Sequence, residues 1–171
     1  DNRQEAQWQW AQKSVGKEEK KYLTFSEFRK KHYDQYYHPQ LFSNTKTLIK
    51  KLKKSYSLAI ASSGQKKNIF KLLKTHTLDR EFDLILATSE QTKDHVIEKI
   101  LTQLKTRPDE TLMITDTVGD IKAAQKNGLK TMAVTWGFQT KKTLELAKPD
   151  FIAESFTKIL MTFLKGRIPW N

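Results

Sequence analysis

In the stretch TLMITDTVGDIKAAQKNG, residues 111–128, an apolar run ends in one acid and a second acid follows four residues on. Asp116 closes the run, and Asp120 falls in the first turn of the helix that the pattern predicts next. Carboxylate oxygens are the ligands that a hard cation such as Mg²⁺ prefers. Asp120 also gains from the positive end of the helix dipole. A simpler role is open to each, Asp116 as the helix cap and Asp120 as an ordinary first-turn acid.

Two other apolar runs end in residues of complementary type. Ser62 and Ser63, followed by Gly64, close SLAIAS (57–62), and FDLILAT (82–88) leads into Ser89 to Lys93. A lysine neutralises a phosphoryl group, while a hydroxyl and the amides opening a helix hydrogen-bond its oxygens. Taken singly, Ser62-Ser63-Gly64 reads as a capping turn and Lys93 as one solvated lysine among many. Glu90 and Asp94 read as surface charges. His32, His38, His76 and His95 show no ligand spacing and no acid partner. The conjunction at the strand ends is what points to chemistry.

The elements needed to bring these residues together are legible as an alternation. Strands are predicted over 57–62, 82–88, 111–115, 130–136 and 149–153, with helices over 65–75, 94–105 and about 118–127, the last ended by Asn127-Gly128. A helix is predicted after each of the last two strands. Ser43 is predicted to cap a helix running to Lys54, and Ser26 another over Thr24 to Tyr37 that Pro39 ends. Strands alternating with helices imply an α/β fold, with a parallel sheet covered on both faces. Ligands then gather beyond the carboxyl ends of the strands. Residues 1–38 read as a polar arm and helical piece, and 39–171 as the α/β core.

Composition narrows the class. With 171 residues the chain suits one globular domain, and with no cysteine it has neither disulfides nor thiolate metal sites, which suits a reducing compartment. No apolar run is long enough to span a bilayer, and the first residues lack the apolar stretch of a signal peptide. A cytoplasmic setting, or another reducing one such as a mitochondrial matrix, is expected. The formal net charge of +12 attracts phosphorylated compounds, nucleic acid or acidic protein. A solvated lysine-rich face explains it as well: in TKTLIKKLKK the lysines mostly avoid the stripe of Leu48, Ile49 and Leu52.

On these residues the chain resembles the haloacid dehalogenase superfamily, specifically its phosphoglycolate phosphatase-like branch, over residues 39–160. LAIASSG is similar to the second motif, with Ser62 the best fit and Ser63 the next; Lys93 in SEQTKDHVIEKIL matches the third-motif lysine; MITDTVGDIKAAQKNG is similar to the fourth, with Thr115 where a glycine often stands. AVTWGF followed by KPDFIAES resembles the tail of that branch. The resemblance implies Mg²⁺ held by Asp116 and Asp120, phosphate held by Ser62, Ser63, Gly64 and Lys93, and hydrolysis of a small phosphorylated metabolite through an aspartyl-phosphate. It also implies that residues 1–38 end a substrate-selecting cap.

The nucleophilic aspartate of the resembled family lies in a first motif, an apolar strand followed by D-x-D-x-T. No residue here takes that part: Asp1, Asp34, Asp79 and Asp83 end no strand, and Asp109 precedes one. The family's first strand lies between the strands ending at Ser62 and Asp116. Without it they stand about 9–10 Å apart, twice the ordinary spacing. Unpaired buried backbone groups cost on the order of 1–3 kcal/mol each, against a net stability of about 5–15 kcal/mol. The strand lies upstream in a longer protein, another chain supplies it, or the flanking strands pair directly; QWQW near residue 9 is a filler whose glutamines suit a buried strand badly. Two functions follow: an Mg²⁺-dependent phosphatase seen without its nucleophile, or an inactive relative serving a larger protein or ribonucleoprotein assembly.

Overall fold

The first helix, α1 (Thr45–Lys53), forms because Leu48 and Leu52 recur on one face while its lysines stay at the surface. Its start differs from the expected serine cap. Asn44 holds the position before the helix in the left-handed conformation (φ 67°), and no side chain caps it. Asparagine tolerates that conformation, and the Phe42 carbonyl takes the Thr45 amide at 3.2 Å. The computed structural model describes residues 40–87 and 91–164. From Leu41 onward they belong to one compact unit. The predicted helix over 24–37, its Ser26 cap and Pro39 lie outside the described residues, as does QWQW.

The rest follows the predicted alternation: β1 (Ala59–Ser62), α2 (Lys66–Thr75), β2 (Leu84–Ala87), α3 (Lys93–Leu104), β3 (Leu112–Thr115), α4 (Val118–Lys126), β4 (Lys130–Val134), α5 (Lys141–Glu145), β5 (Phe151–Ala153) and α6 (Phe156–Leu164). Gly128, at φ 75°, takes the left-handed turn that releases the chain from α4 into β4. All strand pairs are parallel. They form two sheets, β1-β2 and β3-β4-β5. Among the described residues no ladder joins β1 to β3, so the direct pairing named above as one way to close the sheet is not formed.

Apolar helices hold the halves together on both faces. On one face α1 serves both sheets: Leu48 and Leu52 join Met132, Val134, Ala153 and Ile159, while Ile49 packs with Leu73, Leu78 and Ile85 under β1-β2. On the other, Ile97 of α3 packs with Ala124, Leu129 and Met113, and Ile121 of α4 with Ala133 and Leu144. Burial is uneven. Met132 and Ala133 of β4 are fully buried, whereas Ala59 is exposed and the other three residues of β1 are half-buried. No helix of the described residues is long and apolar enough to cross a membrane.

Asp94, read from sequence as a surface charge, ties α3 to α4. Lys126 Nζ lies 2.5 Å from its Oδ2. That ammonium, then the Thr92 hydroxyl, hold the Asp94 carboxyl well below the ordinary carboxylate range. A carboxyl lowered in the folded state adds stability above its unfolded value of about 4, which is lost as pH falls through the folded value. Asp94→Asn is therefore expected to destabilise at pH 7, with the difference from wild type shrinking steadily below about pH 4. Urea unfolding of both chains from pH 7 to pH 2 checks this; a constant offset would refute it.

Candidate active site

The loop leaving β3 takes the capping role away from Asp116. Thr117 caps α4: its hydroxyl accepts the Asp120 amide at 3.2 Å. Asp116 is thus released from capping. Its Oδ2 accepts the Phe138 amide at 2.6 Å, and its backbone carbonyl accepts the Gln139 amide at 3.3 Å.

The segment after β4 makes this possible. Trp136 stacks on Phe156 with ring centroids 4.7 Å apart, which anchors the turn. A Cβ on Gly137 would overlap the Asp116 carboxylate, so only glycine lets the backbone approach that closely. Gln139 returns a second tie, its Oε1 accepting the Val118 amide at 2.6 Å.

Asp120 is held differently. The Thr115 hydroxyl donates to its Oδ2 at 3.0 Å, and Lys93 Nζ lies 3.5 Å from its Oδ1. Lys93 opens α3, and its ammonium also donates to the Ala61 carbonyl on β1 at 2.8 Å. Its side chain is only 18% exposed, so it is not the solvated lysine of the simpler reading. Ser62 follows Ala61. Its hydroxyl accepts the Gly64 amide at 3.0 Å, the turn expected of Ser62-Ser63-Gly64 on local grounds. Ser63 is exposed.

The structure therefore brings Ser62, Lys93, Asp116 and Asp120 to one edge, where β1 and β3 end. Ser89 and Glu90 lie outside the described residues, as do His32 and His38. His95 Nδ1 is 2.9 Å from the Thr92 hydroxyl and belongs to the surface of α3. His76 merely ends α2. Thr115, Thr117, Gly137 and Gln139 are the residues that sequence reasoning missed as parts of the site. The glycine in AVTWGF directly after an apolar strand was the available signal.

Mg²⁺ takes one or two protein carboxylates and completes its octahedron with water and phosphate oxygens. Asp116 and Asp120, two carboxylates at one strand end, fit that ion. Among the described residues no group of three or more His, Asp or Glu side chains is gathered for a metal. The donor set holds neither thiolate nor imidazole, which disfavours a softer metal.

The parallel α/β body thus presents an ammonium and two carboxylates at its strand ends. Comparison with known proteins identifies its family. The profile of haloacid dehalogenase-like hydrolases matches residues 4–134. The pyrophosphatase PpaX of Bacillus mycoides is 29% identical over 151 residues, 85% of this chain and 69% of that protein. That of Bacillus anthracis is 31% identical over 133 residues, 73% of this chain and 62% of its own length. A haloacid dehalogenase-like hydrolase from Streptococcus pneumoniae superposes with a TM-score of 0.75 at 27% identity, covering 81% of this chain and 68% of that one. A predicted phosphoglycolate phosphatase from Haemophilus somnus shares the fold, with a TM-score of 0.71 at 22% identity over 86% of this chain and 71% of that one. The chain belongs to the haloacid dehalogenase-like hydrolase family.

The fit of Gly137 against Asp116 can be measured directly. Gly137→Ala is expected to lower stability by about 1–3 kcal/mol, the usual cost of forcing a methyl into filled space. It should appear as a lower urea midpoint at unchanged slope. An unchanged midpoint would mean that the turn yields without cost.

Proposed function

We propose that this chain carries the metal- and phosphate-binding part of a Mg²⁺-dependent phosphatase acting on a small phosphorylated compound. The observation that supports it is the meeting of Lys93 with Asp120, beside Asp116, at the ends of β1 and β3. Lys93 offsets phosphoryl charge, Ser62 and the amides opening α2 bind phosphoryl oxygens, and Asp116 and Asp120 would hold the cation. When bound, Mg²⁺ supplies Lewis acidity toward a phosphoryl oxygen. The nucleophile's part is given to no residue of this sequence, since no apolar run in it is followed by D-x-D-x-T. This reading divides the chain into an arm and partial cap, 1–38, and an α/β core, 39–171.

The strand-end convergence favours catalysis over a purely structural role in an assembly. Because the two Bacillus relatives are named pyrophosphatases, inorganic pyrophosphate belongs among the substrates beside phosphomonoesters such as phosphoglycolate. A bacterial cytoplasm is the setting this reading implies.

The test is an assay of a polypeptide in which the strand-bearing segment precedes these residues. Phosphate release is expected to require Mg²⁺, and Asp116→Asn to reduce kcat/KM by about 100-fold or more. No Mg²⁺-dependent release from either a phosphomonoester or pyrophosphate would end the proposal.

A further inference from the structure

We propose that the face built by α1, α2 and α6 docks on an anionic phospholipid surface. Charge is sorted between the two faces of this molecule. On this face α1 and α2 carry four lysines each, α6 adds Lys158, and none of the three helices holds an acid. On the other, α3, α4 and α5 together carry six lysines with four acids. Ion pairs form there within the face: Asp120 with Lys93, Asp94 with Lys126 and Glu145 with Lys141. A lysine-rich composition acts on both faces alike, so it does not account for one being mixed and the other purely basic. In the sequence the same asymmetry covers residues 35–78, which hold nine lysines and no arginine, aspartate or glutamate.

The lysines of α1 and α2 belong to one surface. Lys67, Lys71 and Lys74 recur at helical spacing along α2, all exposed. Lys46 of α1 donates from Nζ to the Thr77 hydroxyl at 2.8 Å, just past the end of α2, and Ile49 packs with Ile69 and Leu73 beneath. The two helices therefore lie side by side. Lys50, one turn on from Lys46, continues the exposed row on α1. Lys53 pairs with Asp83 at 2.6 Å. Among the described residues no acid pairs with the exposed Lys50, Lys51, Lys67 or Lys71, so their charge is open to a partner.

The apolar side chains on the same face identify that partner. Phe42, Phe70, Met161 and Leu146 are the large apolar side chains exposed among the described residues. Phe42 stands just before α1, Phe70 lies within the α2 stripe and Met161 on α6; Leu146, which follows α5, belongs to the other face. Lys66 Nζ lies 5.7 Å from the centre of the Phe70 ring. A membrane surface takes both kinds of group, ammoniums at the level of the phosphates and apolar chains just below them. Anionic lipid attracts each lysine, and the attraction accumulates over a row. A soluble polyanion answers the charge but leaves Phe42 and Met161 in water. The three helices also lack arginine, whose planar fork makes the bidentate phosphate and base contacts by which nucleic acid is read. Lys93 and Asp120 belong to helices of the other face, so docking stands apart from the phosphatase reading.

The probes are vesicles of phosphatidylcholine alone and of equal parts phosphatidylcholine and phosphatidylglycerol. The full chain is expected to sediment with the second and not the first, and to be released as salt rises. The combined variant Lys50→Gln, Lys51→Gln, Lys67→Gln and Lys71→Gln should weaken that partition by about tenfold or more. The pair Lys122→Gln and Lys142→Gln, exposed on the other face, should change it by less than about twofold. Phe70→Ala should weaken it by about threefold or more with the salt dependence unchanged, the mark of an apolar contact. Far-UV circular dichroism of each variant checks that the fold is kept. Binding unmoved by the four glutamines, or weakened as much by the pair on α4 and α5, would overturn the proposal. Sedimentation with neither vesicle, or with both equally, would overturn it too. A single-stranded oligonucleotide bound more tightly than the anionic vesicles, with the same dependence on the four lysines, would assign the face to nucleic acid instead. Phosphate release plays no part in these readouts, so the docking and phosphatase readings fail separately.

Discussion

The ammonium of Lys93 joins two sheets that share no backbone ladder among the described residues. It grips the Ala61 carbonyl on one side and faces Asp120 on the other. A positive charge so little exposed is tolerable only because a carbonyl and a carboxylate surround it. Everything proposed for the strand ends depends on this contact, since it brings the second-motif serine and the acids of the β3–α4 turn to one place. Helix α3 makes it possible: Ile97 anchors its inner face, and Lys93 is its first residue.

The two acids are held by opposite means. Asp120 is fixed by side chains, the Thr115 hydroxyl and the Lys93 ammonium. Asp116 is fixed by backbone, through the Phe138 amide and the close approach at Gly137. Backbone amides reorganise little, so the Asp116 carboxylate is held in a nearly set position, the condition under which fixed dipoles and charges act best. The acid at Asp120 is tied to a long, flexible lysine. Its position follows that of α3.

Much of this was legible because it is local. Apolar runs closed by Ser62 and Asp116, and the Asn127-Gly128 stop, are properties of short windows, and each element expected among the described residues appears within a few residues of its place. The candidate site residues were read by the same logic, from what stands at the ends of strands. What escaped was nonlocal or a matter of choice between neighbours. Thr117 and Asp116 are adjacent possible caps, and only the pull of the Phe138 amide on Asp116 decides between them. The part played by Gly137 depends on a residue twenty-one positions earlier and on the Trp136–Phe156 stack, neither of which has a short-range signature. The left-handed Asn44 displaced the expected Ser43 cap for a similar reason. Helix α1 must aim Leu48 and Ile49 at different sheets, which fixes its entry angle.

The uneven burial described for the strands gives the molecule a gradient of local opening. Around β4, fully buried Met132, Ala133, Leu144 and Ile121 make separation of any element expensive. Around β1, an exposed Ala59 and half-buried neighbours leave far less to lose. The acids proposed to hold the metal thus sit on the deeply buried half, and the serine proposed to bind phosphate sits on the thinly covered one.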